Sequence, residues 1–393
     1  MEISFTTRLG NIMSLTSVLV GVTNSLDSTV AQAYAKELEG QIYDQVTSKD
    51  EYDTACTNKI NELKQQSHVV ESRAPEPEAD GLDLHGPDFG PYRKATFYKH
   101  GRFSSVFKAA VKDQVDDVEA PTSNLVALKV TTPSAMTPPH DSEREARILQ
   151  EARSESVIQL ISTMWQPGGS LVLVFPFVPM DLETLMQSSS VHQNDVKNIA
   201  RDLFKALSHL HSLQIIHRDV KPSNILLRSQ TGPAYLADFG IAWSPNDPAS
   251  EPAQKKITDV GTTSYRPPEL LFGYKAYDTS LDLWAAGCTV AEMIRPYHQS
   301  IFDAGDLGSE LALIRSIFLT LGTPDEESWP SVKQFPDWGK MRFVDYPAKP
   351  WSTILAGATD LEVEFVSSLV RYEGTRRMTA AQALSHTFLK EVL

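Results

Sequence analysis

The chain has 393 residues, 41% of them hydrophobic and 22% charged, with a formal net charge of −14. That length allows one large domain plus an extension, and two cysteines, Cys56 and Cys288, exclude a disulfide framework and fit a reducing compartment. The acidic balance argues against nucleic acid as a partner, and the lack of any run of about 18 apolar residues argues against a membrane-spanning helix.

Residues 1–90 carry 15 acidic and 6 basic side chains and so hold −9 of the charge. The apolar stretch LTSVLVGV (Leu15 to Val22) is short, and Glu2 and Asn11 argue against a secretory signal. Residues 27–66 read as helical. Val30, Tyr34, Leu38, Ile42 and Val46 recur at four-residue spacing along one face, and Tyr52, Ala55, Ile60 and Leu63 continue on a second helix. Such a pair either packs as a hairpin, on itself or on the domain that follows, or offers a partner-docking face; amphipathicity alone does not choose. The expected division is a helical extension over 1–70, an acidic Pro/Gly-rich linker over 71–91 and one large domain over 92–393.

Past the linker, residues 92–178 read as strands with one helix. SLVLVFPFVPMDLETLM (Ser170 to Met186) reads as a strand, a hinge and the next helix, and NDVKNIARDLFKALSHLHSLQ (Asn194 to Gln214) as a strongly periodic helix. That helix leads into HRDVKPSN (His217 to Asn224), then ADFG (Ala237 to Gly240), then SYRPPE (Ser264 to Glu269). In order and spacing these strings resemble the active-site half of eukaryotic protein kinases, and the chain is similar to their cyclin-dependent-kinase branch. The resemblance implies an α+β, bilobal protein kinase fold, with a small β-rich lobe over 92–178 and a larger, mainly helical lobe over 179–393. It also implies ATP and Mg2+. Phosphoryl transfer needs positioning and cations more than covalent work from the protein. Asp219 would accept or orient the proton of the attacking hydroxyl, Asn224 and Asp238 would hold Mg2+, and Lys221 would sit near the γ-phosphate. A lysine at that place marks Ser/Thr kinases.

In the small lobe, ATFYKHGRFSSVFKAA (Ala95 to Ala110) falls where the family's glycine-rich loop belongs, with Lys99, Gly101, Ser104 and Val106 in its register. One glycine of three remains, so close backbone approach to the phosphates is restricted, although Lys99 offers charge. NLVALKV (Asn124 to Val130) resembles the family's VAIK strand, which makes Lys129 the lysine on the α/β-phosphates and Ala127 a wall of the nucleotide pocket. HDSEREARILQEARSESVIQLI (His140 to Ile161) matches the helix and strand that follow, so Glu145 would pair with Lys129. Leu149, Leu160, His217 and Phe239 would form an apolar spine. At the hinge, Phe175 would back the adenine pocket, and the backbones of Pro176 and Val178 would bond the base. Asp181 is either a ribose contact or the N-cap of the next helix, and both roles can coexist.

The activation segment runs from Asp238 to Glu269. Its middle, SPNDPASEPAQKK (Ser244 to Lys256), is mobile by composition. Thr258 is the candidate phosphosite. The family grips such a phosphate with three arginines, of which Arg144 and Arg218 have counterparts here while the third position is Trp243. The pocket therefore looks incomplete, and activity without a phosphate on the segment is expected. Thr262 matches the threonine that steadies the catalytic Asp. Gly261 replaces a valine of unusual backbone geometry and can take that geometry or leave it. Glu269 would pair with Arg377, and Asp282 would anchor the catalytic loop from below. LGTPDEESWP (Leu321 to Pro330) is close to the branch's string after a large-lobe helix.

Two classes of function remain at this point. One is an active Ser/Thr kinase of cyclin-dependent-kinase type acting on protein substrates, in the nucleus or the cytoplasm. The other is a pseudokinase scaffold. Retention of Lys129, Glu145, Asp219, Lys221, Asn224 and Asp238 favours the enzyme. Its departures from pattern are similar to those of the fungal single-subunit kinases that phosphorylate activation loops of other cyclin-dependent kinases. A conventional cyclin-partnered kinase is the rival, although PPHDSERE (Pro138 to Glu145) departs from the branch's cyclin-binding string.

Overall fold

A computed structural model of the chain describes residues 8, 15, 35, 42–43, 48, 51–52, 54–60, 88–111, 125–188, 191–305 and 308–390. The chain falls into two compact units, Met1–Asp83 and Leu84–Leu393. In the first, residues 42–43, 51–52 and 54–60 are helical. The Arg8 guanidinium lies 3.9 Å over the Tyr43 ring, and Tyr43 meets Tyr52 edge-on at 6.3 Å, so these residues pack on one another. Ile42, Tyr52, Ala55 and Ile60 of the expected stripes lie on helix. Val30, Tyr34, Leu38, Val46 and Leu63 lie outside the described residues, as does the linker before residue 88.

The second unit has the two-lobed α+β architecture expected from the resemblance. Its small lobe is an antiparallel sheet of β1 (Tyr92–His100), β2 (Ser104–Val111), β3 (Leu125–Thr131), β4 (Ser162–Gln166) and β5 (Ser170–Pro176), in the spatial order β1-β2-β3-β5-β4. Val, Leu and Phe fill β5, whose middle five residues are buried between β3 and β4. The end of the expected linker is part of this lobe: Phe89 and Tyr92 exchange backbone hydrogen bonds of 2.8 and 3.0 Å across a turn into β1. Helix α1 (Ser142–Glu151) follows β3 and is capped by Asp141, whose carboxylate accepts from the Arg144 N–H at 2.9 Å.

The large lobe begins with β6 (Met180–Asp181), α2 (Leu182–Ser188) and α3 (Gln193–Ser212). Buried Val196, Ile199, Ala200, Leu203, Phe204, Leu207 and Leu210 give α3 one apolar face. A three-stranded antiparallel sheet pairs β6 with β7 (Ile225–Leu227) and β7 with β8 (Ala234–Leu236). It positions the site: β7 starts directly after Asn224, and β8 ends two residues before Asp238. The remaining helices are α4 (Pro268–Leu271), α5 (Ser280–Ile294), α6 (Glu310–Leu321), α7 (Trp351–Ile354), α8 (Asp360–Leu369) and α9 (Ala380–Ser385). Helix α5 is buried nearly all round. At Gly287 a Cβ would stand 2.7 Å from Val370 Cγ2 and 2.9 Å from Leu369 Cβ, so only glycine lets α5 lie this close to the end of α8. No helix among the described residues is long and apolar enough to cross a membrane.

Glu269 and Arg377 meet in the large-lobe interior through two parallel hydrogen bonds of 2.6 and 2.7 Å. Arg377 also donates to the carbonyls of Ser280, Arg371 and Tyr372, so the whole guanidinium is satisfied. Truncating one partner strands a buried charge. Arg377→Ala is therefore expected to lower unfolding free energy by about 3–5 kcal/mol, read from urea unfolding of the purified chain.

Candidate active site

Strand β3 pairs Lys129 with Leu173 of β5 and Val106 of β2, which fixes the direction in which the lysine leaves the sheet. Its ammonium donates to both Glu145 oxygens, at 2.7 and 2.9 Å, and to Asp238 Oδ1 at 2.8 Å. Glu145 is buried on α1, whereas the Asp238 side chain is half exposed. Burial alone would lower the Lys129 pKa, but the charges of Asp238 and Glu145 outweigh it and keep the ammonium protonated. The same ammonium holds the Asp238 carboxyl well below the usual carboxylate range. Asp238 has a φ of +63°, uncommon for a non-glycine residue, so backbone strain sits at this junction.

The catalytic-loop string converges on Asp219. Its Oδ1 accepts from the Thr262 N–H at 3.0 Å and the Thr262 hydroxyl at 2.9 Å. Its Oδ2 accepts from Asn224 Nδ2 at 2.9 Å and lies 3.0 Å from Lys221 Nζ. Lys221 donates to Thr262 Oγ1 at 2.7 Å, so Asp219, Lys221 and Thr262 close a ring of contacts. The loop is held from below by Asp282 of α5, which accepts the backbone N–H groups of His217 and Arg218, each at 2.9 Å. His217 is buried, bonds the Ala237 carbonyl through Nε2 at 3.0 Å and meets Phe239 edge-on at 4.7 Å. Leu149 and Leu160 are buried in the same core as Phe239.

Asn224 spends its Nδ2 on Asp219, at the main-chain carbonyl (2.8 Å) and the carboxylate, and this leaves the amide oxygen as the atom for a ligand. That oxygen and the half-exposed Asp238 carboxylate are hard donors. Among the described residues no group of three or more His, Cys, Asp or Glu forms a metal cage of its own. Such a sparse oxygen set fits Mg2+, which keeps waters and shares its coordination with phosphates.

Val106 and Ala127 lie on the β2–β3 ribbon, Phe175 is buried beside Ala127 in register, and Pro176 and Val178 follow at the hinge. Asp181 is an N-cap: its Oδ1 accepts from the N–H and hydroxyl of Thr184, at 2.9 and 2.7 Å. Its other oxygen lies 3.6 Å from Lys99 Nζ. Lys99 thus reaches back from β1 to the hinge side of the cleft, and Gly101 turns the chain between β1 and β2 with its N–H on the Ser104 carbonyl at 2.8 Å.

The activation segment corrects the expectation of mobility. Ser244, Asp247 and Lys256 are buried. The Ser244 hydroxyl and Asn246 Nδ2 donate to Glu151, at 3.1 and 2.8 Å, and Arg147 forks onto Asp247 at 2.7 and 3.2 Å. Lys256 donates to the carbonyls of Ala253 and Tyr277 at 2.6 and 2.7 Å and stands over the Trp243 ring. Ser244, Asn246, Asp247 and Lys256, polar residues that would leave a free chain solvated, are thus matched to partners, while Gln254 and Lys255 stay exposed. Two outcomes concern the substrate side. Gly261 takes the unusual geometry, with φ +78°, and a Cβ there would come within 2.9 Å of the Arg218 carbonyl. Thr258 is half-buried, and the two arginines expected to serve it face Glu251 instead. Glu251 and Asp247 carry no motif signal, because the family pattern marks hydroxyls that can be phosphorylated rather than carboxylates.

Two measurements follow from this geometry. Asp219→Asn preserves size and most contacts but removes the proton acceptor; kcat is expected to fall about 10²–10⁴-fold while the melting temperature holds. The second concerns Glu292 on α5, which accepts from the Tyr265 hydroxyl at 2.6 Å. Burial pushes its carboxyl from 4.5 up to about 7, although that hydrogen bond opposes the shift. The folded state therefore holds a proton that the unfolded chain has released, and this contribution is lost as pH rises toward about 7. Glu292→Gln, which cannot ionise, is expected to gain stability over the unaltered chain between about pH 5 and 8, by a few kcal/mol at most. Urea unfolding of both across that range reads the difference.

The family pattern described as the protein kinase domain matches residues 100–389. The serine/threonine-protein kinase csk1 of Schizosaccharomyces pombe is 40% identical over 241 residues, 60% of this chain and 76% of that protein. Cyclin-dependent kinase 7 of Xenopus laevis is 34% identical over 300 residues, 75% of this chain and 79% of the relative. Cyclin-dependent kinase D-1 of Oryza sativa subsp. japonica is 32% identical over 307 residues, 77% and 67% of the two chains. On the strength of these matches and of the geometry above, the chain belongs to the protein kinase family, as a serine/threonine kinase of its cyclin-dependent-kinase branch.

Proposed function

We propose that this kinase phosphorylates the activation segments of other cyclin-dependent kinases and does so as a single chain, without a cyclin. The observation that carries the proposal is the set of ties between α1 and the chain's own activation segment, Arg147 to Asp247 and Glu151 to Ser244 and Asn246. They supply from within the chain a support for the helix that bears Glu145. The substrate class draws on the reduced glycine loop, the glycine at 261 and the likeness to csk1.

The protein kinase domain uses ATP and acts on protein substrates. In this reading Lys129 holds the α/β-phosphates and Glu145 holds Lys129. Asp181 meets the ribose, and Phe175, Pro176 and Val178 bound the adenine, with Ala127 and Val106 above it. Asp219 orients the Ser or Thr hydroxyl of the substrate and takes its proton, while Thr262 keeps that carboxylate in place. Lys221 attracts the γ-phosphate. Asn224 and Asp238 would hold Mg2+, which when bound would neutralise charge on the transferring group. Each side chain acts by position and charge, so the barrier is lowered without a covalent intermediate.

Phosphate transfer by the purified chain with Mg-ATP, onto a catalytically dead cyclin-dependent kinase and with no added partner, tests the proposal. Transfer is expected from the unaltered chain and not from Asp219→Asn. ATP binding without transfer to any substrate would instead support a scaffold, and activity appearing only with a cyclin would support a partnered kinase. In the same assay Thr258→Ala is expected to keep its rate, because no phosphate on the segment is required; its loss of activity would end that part of the reading.

A further inference from the structure

Two guanidinium groups are buried beside the active site: Arg144, on α1 next to Glu145, and Arg218, in the catalytic loop next to Asp219. Arg144 donates to the carbonyls of Ala249 and Pro139, while its Nε and that of Arg218 have no partner. Buried cations of this kind need an anion. Glu251 supplies one to both: its carboxylate takes both terminal nitrogens of Arg218 in a fork, at 3.2 and 3.1 Å, and its charge acts on Arg144 together with those of Asp141 and Asp247. Trp243 fixes its backbone, the indole N–H donating to the Glu251 carbonyl at 2.8 Å. Burial alone would raise the Glu251 carboxyl, yet the hydrogen bonds and charge of Arg218, with that of Arg144, bring it below the ordinary value. Along α1, Arg144, Arg147 and Glu151 recur three and four residues apart, hence on one face, and all three bond to residues 244–249.

We propose that Glu251 is the positioning anion of this active site: it joins the activation segment to the catalytic loop and to α1, and so holds Asp219 and Glu145 in working geometry with no phosphate on the segment. This rests on the reading of the chain as a kinase that needs no phosphate at Thr258. The carboxylate does by covalent attachment what a transferred phosphoryl group would do by modification. It reaches Arg218 directly and Arg144 through charge. Trp243 takes the place of a third arginine and, through the indole N–H, fixes the anion rather than neutralising it. Glu251 touches no substrate; it acts through Arg144 and Arg218.

The test uses the full chain with the substrate of the preceding assay. Glu251→Gln keeps shape and removes charge; kcat is expected to fall about 10- to 100-fold, with KM for ATP little changed. Glu251→Asp should recover part of the rate. Sodium sulfate should restore activity to Glu251→Ala, while sodium chloride at matched ionic strength should not, a response that a merely structural glutamate would not give. An undiminished kcat in Glu251→Gln would overturn the proposal. So would a loss that neither aspartate nor sulfate reverses, whether or not the variant is well folded. Thr258→Ala separates the two readings: if it is inactive, the phosphate-free reading fails, whereas if it is active and Glu251→Gln is too, only the assignment to Glu251 fails.

Discussion

The large lobe is arranged around one buried carboxylate. Asp282, fully buried on α5, accepts the backbone N–H groups of His217 and Arg218, and His211 Nε2 lies 3.0 Å away. Arg218 has a φ of +70°, a conformation that costs roughly 1–3 kcal/mol for a residue with a side chain. Charge-assisted bonds in the interior offset that cost and fix the loop. The turn at Arg218 sends its own side chain toward the activation segment and the next residue, Asp219, toward the cleft. Contacts in both directions, Glu251 on one side and Thr262 and Asn224 on the other, depend on this backbone being held.

The two lobes meet in a cluster with deliberate charge balance. Lys129 and Lys221 face Glu145, Asp238 and Asp219, which leaves one negative charge in excess. Lys129 stands against carboxylates from two other elements, and Lys221 against Asp219 of its own loop and the Thr262 hydroxyl, so neither is free to wander. The excess is concentrated on the half-exposed side, at Asp238, where a divalent cation would be welcome. Electrostatics is thus set before any nucleotide arrives, which is the condition for preorganised catalysis.

Legibility in the sequence followed the distance over which chemistry is specified. Asp219, Lys221 and Asn224 lie within one eight-residue string, and the spacing demanded by a single turn of loop made them readable. Lys129 and Glu145 were readable because a strand and the helix after it bring them together. The Glu269–Arg377 pair, 108 residues apart, was reached only through resemblance. The activation segment failed as a composition argument: Pro, Ser and Asp predict a solvated chain when their partners are unknown, and here the partners sit on a helix roughly a hundred residues earlier, as in Arg147 with Asp247. For Asp181 the sequence offers two roles; the cap is built into local geometry and is visible, whereas ribose contact depends on the nucleotide.

A phosphoryl group on an activation segment is an ester, written by one enzyme and erased by another. The carboxylate of Glu251 is joined to its chain by carbon–carbon bonds, which no phosphatase cleaves. A kinase whose arginines were satisfied in this way would reach its active form with no separate phosphorylation step. Control over such a kinase would then pass to what the chain meets and how much of it exists: synthesis, turnover, location, and the accessibility of its substrates' own segments.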